Sequence, residues 1–446
     1  MLMLLTGCVA ATSMVNAAYL SEPVDTGLAE PEGPPTMSTA DADSAWPGYG
    51  GIAVGDLDGD RIPDLLVHEF AGYWLALIPG PLTGVVDESK ALPILGGNWL
   101  GGYADLVSTD QEGDGGSDLW LGEGYDGSVD PDSYALLAGP ILADPPRELA
   151  RVDAGGKVQF GQATGGADVD GDGNVDLLVA WTLEEATEEV VRLFLGPHEG
   201  DISVDEAVFA ITDPSPPEDD TWGFDDPHGR KFGHYQAIVD HDGDGVLDIF
   251  LADPAGASPI IGLPGDTRGL LASADAALQI EAHAGGLFSL GDVDGDGFDD
   301  LSAASGYYPA SMGSLYFGPI AEEPSARRIG VLQSLSDTYQ SGSMSGFAPE
   351  ANVMAVGYID NTLREALPPD CHGVQVQAAL IDAPSDGLTD FDEARLFVVT
   401  SDCEDGAFSN DWRGLLVDLD LSGQPELLFS GYAFLDTTWL DAIGAL

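Results

Sequence analysis

The stretch that decides the fold lies between Asp168 and Asp176 and reads D-V-D-G-D-G-N-V-D. It places carboxylates at positions one, three, five and nine of a nine-residue loop, with glycines at positions four and six. The same pattern begins at four other places, namely Asp56, Asp110, Asp240 and Asp292, with Arg61 in place of the second glycine in the copy at Asp56. Recurrence of one motif at intervals of about 60 residues predicts a protein built from structural repeats.

Two weaker copies extend the repeat toward the carboxyl end of the chain. Residues 357–362, G-Y-I-D-N-T, align with the start of the motif but have lost most of its carboxylates. Residues 418–426 keep three acidic side chains and are followed by the apolar run Leu427-Leu428-Phe429. With these two copies, the sequence predicts seven units of about 60 residues each.

The segments that flank each loop have the pattern of short β-strands. Apolar runs enter and leave the loops, as at residues 52–54 and 249–251, and they are bounded by Gly and Pro. A third run often ends in a Gly-Pro pair, as at Gly80-Pro81, Gly139-Pro140, Gly196-Pro197 and Gly318-Pro319. We therefore predict an all-β fold, a seven-bladed β-propeller of four-stranded repeats over residues 46–446. A strand that precedes Asp56 is expected to complete the seventh blade.

The chemistry of the nine-residue loop predicts a calcium site. Calcium takes six to eight oxygen ligands, and glycines let the backbone turn tightly around the ion. We expect four inward carboxylates and the backbone carbonyl of position seven in each loop. A solvated acidic turn would explain one such loop but not five at regular spacing. The predicted ligands are Asp56, Asp58, Asp60, Ile62 and Asp64; Asp110, Glu112, Asp114, Gly116 and Asp118; Asp168, Asp170, Asp172, Asn174 and Asp176; Asp240, Asp242, Asp244, Val246 and Asp248; and Asp292, Asp294, Asp296, Phe298 and Asp300.

A sixth candidate loop keeps fewer carboxylates, so its metal binding stays open. Its five positions are Asp418, Asp420, Ser422, Gln424 and Glu426. An EF-hand is excluded for the five intact loops, because that motif needs Glu at position twelve. Position twelve here is apolar, namely Val67, Leu121, Val179, Leu251 and Ala303. We expect the ions to be structural.

The repeats resemble FG-GAP (VCBS-type) repeats, such as those of the seven-bladed propeller at the N-terminus of integrin α chains. Phe160-Gly161 and Phe232-Gly233, which precede two of the loops, match the Phe-Gly pair of that family. Ala252-Asp253-Pro254 stands where the family usually has Gly-Ala-Pro. The resemblance implies a ligand on the face opposite the calcium loops and a non-enzymatic role in binding or adhesion.

The charge of the chain excludes several classes of partner. The formal net charge is −63, from 77 acidic and 14 basic residues. Such a surface repels nucleic acid and anionic lipid headgroups, so we exclude both as direct partners. The predicted calcium loops use 20 of the 77 acidic residues, so calcium does not explain most of the acidity. Adaptation to saline surroundings is a second explanation. No apolar run of about 18 residues is present, which excludes a transmembrane helix.

The N-terminal segment predicts export. Leu5-Thr6-Gly7-Cys8 resembles the lipobox of bacterial lipoproteins, in which the cysteine is acylated, although no Lys or Arg precedes it. The resemblance implies a signal over residues 1–8 and a lipid anchor at the outer membrane or cell surface of a bacterium. Residues 9–45, rich in Pro, Gly and acid, are predicted to be an unstructured tether. Cys371 and Cys403 then remain, either as a disulfide or as two separate buried thiols.

No catalytic constellation stands out. His228, His234 and His241 form a loose group, and His241 occupies position two of its loop, where we expect it to point away from the ion. The sequence therefore predicts an exported, monomeric, calcium-binding propeller that acts as a non-enzymatic binding, adhesion or scaffold protein for a protein or glycan ligand. The alternative is a calcium-requiring polysaccharide lyase or hydrolase on a propeller.

Overall fold

The computed structural model describes the parts of the chain that build one compact unit within Pro34–Leu446. The described residues are 36–38, 44–45, 49–69, 75–82, 84–85, 92–95, 106–122, 133–141, 147–153, 160–182, 189–213, 233, 235–252, 259–280, 286–304, 313–335, 339–349, 351–360, 377–383, 386–399, 414–418, 424–429 and 432–434. Within them, no helix has the length and apolar character that a bilayer crossing requires.

The described residues form β-strands and four short 3-10 helices. The strands are β1 (Thr36–Ser38), β2 (Ser44–Ala45), β3 (Tyr49–Gly55), β4 (Asp64–Glu69), β5 (Leu75–Ile78), β6 (Gly84–Val85), β7 (Leu92–Leu95), β8 (Leu106–Thr109), β9 (Asp118–Gly122), β10 (Ser133–Leu137), β11 (Glu148–Asp153), β12 (Phe160–Ala167), β13 (Asp176–Thr182), β14 (Glu189–Phe194), β15 (Gly200–Ser203), β16 (Phe209–Asp213), β17 (Tyr235–Val239), β18 (Asp248–Ala252), β19 (Ile260–Leu263), β20 (Gly269–Ala272), β21 (Leu278–Ile280), β22 (Gly286–Gly291), β23 (Asp300–Ala304), β24 (Gly313–Tyr316), β25 (Ile329–Gln333), β26 (Tyr339–Ala348), β27 (Val353–Asp360), β28 (Gln377–Asp382), β29 (Gly387–Asp390), β30 (Leu396–Val399), β31 (Gly414–Val417), β32 (Glu426–Phe429) and β33 (Tyr432–Phe434). The 3-10 helices are Val204–Glu206, Ser273–Asp275, Pro324–Ala326 and Phe391–Glu393.

Six sheets are blades in which four antiparallel strands follow one another along the chain. Blade 1 is β3-β4-β5-β7, blade 2 is β8-β9-β10-β11, blade 3 is β12-β13-β14-β16, blade 4 is β17-β18-β19-β21, blade 5 is β22-β23-β24-β25 and blade 6 is β26-β27-β28-β30. The first strand of each blade lies beside the first strand of the next. This arrangement confirms the prediction of an all-β propeller.

A further sheet, the composite sheet, joins the two ends of the described chain. Strands β31, β32 and β33 pair antiparallel with one another, and β2 pairs antiparallel with β33 at Ser44↔Ala433 and Ala45↔Tyr432. The described residues therefore form six blades of the predicted kind and not the seven that the sequence predicted, since this sheet is not one continuous four-stranded repeat. Its fourth strand comes from the segment before Asp56, as expected for ring closure.

The N-terminal strands also correct the predicted tether. Strand β1 pairs in parallel with β30, and β2 lies between β33 and β6. Residues 36–38 and 44–45 are therefore strands, although the sequence predicted an unstructured segment. Local composition missed them because their partners lie at distant points of the chain. The predicted signal at residues 1–8 and the tether up to residue 35 lie outside the described residues.

The hydrophobic core lies between neighbouring blades and explains the apolar run after each loop. In β13, Leu177 and Val179 pack in a cluster with blade 2 residues, whereas Leu178 and Ala180 pack with residues of blade 4. Since successive side chains of a strand point to opposite faces, a strand covered on both faces must be continuously apolar. The second strand of each blade is covered on both faces in this way.

A parallel fifth strand links several blades to their successors. The segment between the third and fourth strands of one blade lends a short strand to the outer edge of the preceding blade. These pairs are β15 on β11, β20 on β16 and β29 on β25, and β6 pairs with β2 in the same way. The sequence pattern did not predict this parallel strand. Its signal is a Gly seven residues before an Ala, at Gly84, Gly200, Gly269 and Gly387.

Candidate metal centre

All five Asp-rich loops connect the first to the second strand of a blade. Loop 1 (residues 56–64) joins β3 to β4, and loops 2 to 5 (residues 110–118, 168–176, 240–248 and 292–300) take the same place in blades 2 to 5. In each loop, position nine is the first residue of the second strand. The fold therefore repeats one loop environment in five consecutive blades.

The loop backbone turns in the way that the glycine positions predicted. Gly171 and Gly173, at positions four and six of loop 3, have φ of +75° and +92°, a left-handed conformation that favours glycine. Loop 1 has Arg61 at position six with φ +73°, where a side chain is tolerated at some steric cost. The position-one carboxylate closes the turn, since Asp56 Oδ1 accepts from the Gly59 amide at 2.8 Å and Oδ2 from the Arg61 amide at 2.9 Å.

The carboxylate at position nine is buried in every loop. Asp64, Asp118, Asp176, Asp248 and Asp300 are between 0% and 7% exposed. In loop 1, Asp64 Oδ2 accepts from the backbone amide of Leu57 at 2.9 Å, and Oδ1 accepts from the Gly80 amide at 2.9 Å. Gly139, Gly196 and Gly318 donate to the position-nine carboxylates of their own blades at 2.8–2.9 Å. Each Asp therefore ties its loop to the turn that follows the third strand.

Burial raises the pKa of these carboxyl groups. It raises the pKa of Asp248 to about 7 and those of Asp176 and Asp300 to about 6, against backbone hydrogen bonds that lower them. The pKa values of Asp64 and Asp118 are raised for the same reason. A buried carboxylate with a raised pKa is stabilised in its ionised form by a nearby cation.

Four of the five loops bring three carboxylate oxygens within 4.8 Å of one another. The groups are Asp56, Asp58 and Asp64; Asp168, Asp170 and Asp176; Asp240, Asp242 and Asp244; and Asp292, Asp294 and Asp300. Asp60, Asp172 and Asp296, at position five, instead accept a hydrogen bond from the backbone amide of position seven. The same amide contact occurs at Gly116 and Val246. Ligation by the position-seven carbonyls stays a prediction.

Some carboxylate oxygens of loops 3 and 4 are buried without a hydrogen-bond donor in the described part of the chain. They are Asp170 Oδ1, Asp240 Oδ1 and Asp248 Oδ2. Unpaired buried carboxylate oxygens are costly unless an ion or another donor satisfies them. Because all the converging donors are hard oxygens, the groups fit a hard divalent cation.

Loops 2, 3 and 5 each have an arginine side chain close to one or more of their carboxylates. In loop 2, Glu112 forms an ion pair with Arg147, and this loop is absent from the groups of three found among the described residues. In loop 5, Arg328 lies 2.7 Å from Asp294 and 3.1 Å from Asp296. Arg268 lies 3.7 Å from Asp170 of loop 3. The predicted ligands of loop 2 are therefore partly engaged by a guanidinium.

His241 corrects one expectation, because it does not point away from its loop. Its Nε2 lies 3.4 Å from Asp248 Oδ2, and its Nδ1 accepts a hydrogen bond from the Ile320 amide at 3.2 Å. Burial lowers the pKa of His241. Position two also faces inward elsewhere, since Leu57 and Val169 are fully buried. The motif itself gives no sign of this, because the residue type at position two varies between the loops.

The weaker copies of the motif have different outcomes. Residues 357–360 lie within β27, so this segment is a strand, and blade 6 connects β26 to β27 through residues 349–352. The alignment at 357–362 was therefore wrong. In the composite sheet, Glu426 begins β32 and is fully buried, as position nine is elsewhere. Asp418 and Gln424 are described, whereas Asp420, Ser422, Cys8, Cys371, Cys403, His228 and His234 lie outside the described residues.

No protein-family model and no curated protein match the chain. Similar solved structures include an Agrocybe aegerita lectin, described for recognition of non-reducing terminal N-acetylglucosamine, at 12% identity over 86% of this chain and 75% of that chain, with a TM-score of 0.32. The V. cholerae biofilm matrix protein Bap1 is 16% identical over 51% of this chain and 36% of that chain, with a TM-score of 0.24. The Dos1 propeller is 7% identical over 88% and 93%, with a TM-score of 0.35.

Proposed function

We propose that this chain is a calcium-binding β-propeller whose ions brace its blades, and that it acts as a non-enzymatic binding or scaffold protein outside the cell. In this proposal it is an FG-GAP-type propeller whose composite sheet is the seventh blade. The observation that carries the metal assignment is the convergence of three carboxylates in the loops of blades 1, 3, 4 and 5, with buried unpaired oxygens in loops 3 and 4. Calcium is the hard cation that accepts such flexible oxygen-rich loops.

The bracing role follows from what position nine contacts. Its two carboxylate oxygens hold the loop on one side and the turn after the third strand on the other, as Asp300 does with Val293 and Gly318. An ion bound to this carboxylate therefore ties three strands of one blade together. We further propose that a lipid anchor at Cys8 holds the chain at a bacterial surface, and that a protein or glycan binds the face opposite the loops.

Calcium binding is tested by isothermal calorimetry on the full chain and two matched variants. We expect Asp248→Asn to bind one ion fewer than the wild type, because it removes the buried carboxylate of loop 4. Asp201→Asn, the same change at an exposed position of β15, serves as the control and should leave the ion count unchanged. Absence of calcium binding by the wild type would refute the proposal.

Calcium affinity should also fall as the pH is lowered from 8 to 5.5. The carboxyl groups of Asp248, Asp176 and Asp300 are ionised at pH 8 but protonated below their pKa values of about 6 to 7, so calcium must then displace a proton. One pH unit below such a pKa costs about tenfold in affinity at that site. Calorimetric titration at both pH values measures the change, and equal affinities would contradict it.

The calcium-free protein should show the opposite trend in stability. A folded pKa raised above the unfolded value contributes stability that is present below the unfolded pKa and is lost as the pH rises through the folded pKa. The calcium-free chain should therefore melt at a higher temperature at pH 5.5 than at pH 8. Thermal melts in EGTA at pH 5.5 and pH 8 measure this difference, and equal midpoints would contradict it.

A further inference from the structure

The five loops are not isolated from one another along the propeller. The amide of Ser117, at position eight of loop 2, donates to the carbonyl of Asp56, at position one of loop 1, at 2.8 Å. The amide of Asp299, at position eight of loop 5, donates to the carbonyl of Asp240, at position one of loop 4, at 3.1 Å. The same backbone contact therefore joins loops 1 and 2 and loops 4 and 5.

A second path joins the buried carboxylates of loops 1 and 2. Asp118 Oδ1 holds the Gly139 amide at 2.9 Å, and two residues later the Ile141 amide donates to the Leu57 carbonyl at 2.9 Å. The Leu57 amide in turn donates to Asp64 Oδ2 at 2.9 Å. The position-nine carboxylate of loop 2 thus holds the turn after the third strand of blade 2. That turn is itself hydrogen-bonded to position two of loop 1.

Loops 4 and 5 repeat this path through a side chain. Asp300 Oδ1 holds the Gly318 amide at 2.9 Å, and the Ile320 amide donates to His241 Nδ1 at 3.2 Å. His241 Nε2 lies 3.4 Å from Asp248 Oδ2. The imidazole is therefore hydrogen-bonded to the turn of blade 5 and lies next to the buried carboxylate of loop 4.

Between loops 2 and 3, and between loops 3 and 4, position two of one loop again lies close to the turn of the next blade. A Cβ built on Gly196, in the blade 3 turn, would lie 3.0 Å from Gln111 Nε2 of loop 2. A Cβ built on Gly265, in the blade 4 turn, would lie 3.0 Å from Val169 Cγ1 of loop 3. At all four junctions, position two of one loop meets the turn that the next loop holds.

We infer that the loops bind their ions cooperatively, with each filled loop ordering the preceding one through the turn that its position-nine carboxylate holds. This inference rests on the proposed calcium function. An empty loop carries several carboxylates that repel one another, and an ion removes that repulsion and fixes the position-nine side chain. A neighbour that is already fixed lowers the ordering cost of the next binding event. By linkage, the effect is reciprocal between adjacent loops.

The test is hydrogen exchange of the full chain at increasing calcium concentrations, because mass spectrometry resolves each loop separately. Asp242→Asn disables loop 4, and Asp58→Asn makes the same change in loop 1. We expect Asp242→Asn to move the calcium midpoint for protection of loop 5 about fivefold or more upward. Asp58→Asn should leave that midpoint in place, because loop 1 does not touch loop 5 in the contacts described above.

A pair of variants at His241 tests the link without removing a carboxylate. His241→Leu should separate the calcium midpoints of loops 4 and 5, whereas His241→Gln, which can still accept from the Ile320 amide, should keep them together. A loop 5 midpoint that is the same in wild type and Asp242→Asn would overturn the inference. If no loop gains protection at any calcium concentration, the proposed function itself fails.

Discussion

Removal of calcium should lower the thermal midpoint of the wild-type chain by about 7 °C. At about 1 mM calcium and a dissociation constant of about 0.1 mM, each site adds about 1.4 kcal/mol. Four filled loops then add about 6 kcal/mol, a large part of the stability of an ordinary domain. For a chain of this length, the entropy of unfolding converts that free energy into a shift of the stated size.

The measurement compares thermal melts in calcium, in EGTA, and in EGTA followed by excess calcium. Recovery on re-addition shows that the shift comes from the ion and not from the chelator. Asp248→Asn should show a smaller shift than the wild type, while Asp201→Asn should match the wild type. Superimposable melts with and without EGTA would contradict the bracing role.

Gly265→Ala should cost about 4 kcal/mol of stability, a loss large enough to indicate a specific clash. A Cβ at this position would lie 2.1 Å from the Leu247 carbonyl oxygen and 2.9 Å from Val246 Cγ1. The turn must therefore move away from loop 4, and the backbone hydrogen bond between Gly265 and Asp248 is lost. Calcium binding at loop 4 should be lost with it.

Thermal melts and calorimetric ion counts check this expectation, with Asp266→Ala as the control. Asp266 is the next residue in the same turn and is exposed, so its replacement should change the midpoint by less than about 1 °C. A midpoint for Gly265→Ala equal to that of the control would show that the turn does not press against the loop.

The loops were the most predictable part of the protein. Spacing of carboxylates and glycines predicted where the chain turns and that positions one and three converge in four of the five loops, because those requirements are local. The hydrogen-bond donor to the position-nine carboxylate was harder to predict from the sequence. Gly80 and Gly265 both donate to it and both follow a proline, in Pro79-Gly80-Pro81 and Pro264-Gly265-Asp266, but only Gly80 belongs to a Gly-Pro pair. The Gly-Pro pairs are visible in the sequence, but their hydrogen bond to the loop depends on how the strands pair.

Three other features required the tertiary structure. The parallel fifth strands are too short to show a period, and β6 has only two residues. The inward orientation of His241 depends on a turn in the next blade. The copy at residues 357–362 was misplaced because blade 6 replaces the loop by residues 349–352, which removes the motif that would have fixed the alignment.

The composite sheet has a consequence for the order of events during synthesis. Its fourth strand, β2 (Ser44–Ala45), is synthesised long before β31 to β33, which lie between Gly414 and Phe434. Strand β1 must therefore wait for β30, and one edge of β2 must wait for β33, although β6 can pair with the other edge of β2 earlier. Contacts between such distant segments form slowly, and unpaired strands are exposed to wrong partners meanwhile. Pairing of β2 with β33 is thus expected to be a late step in the folding of this protein.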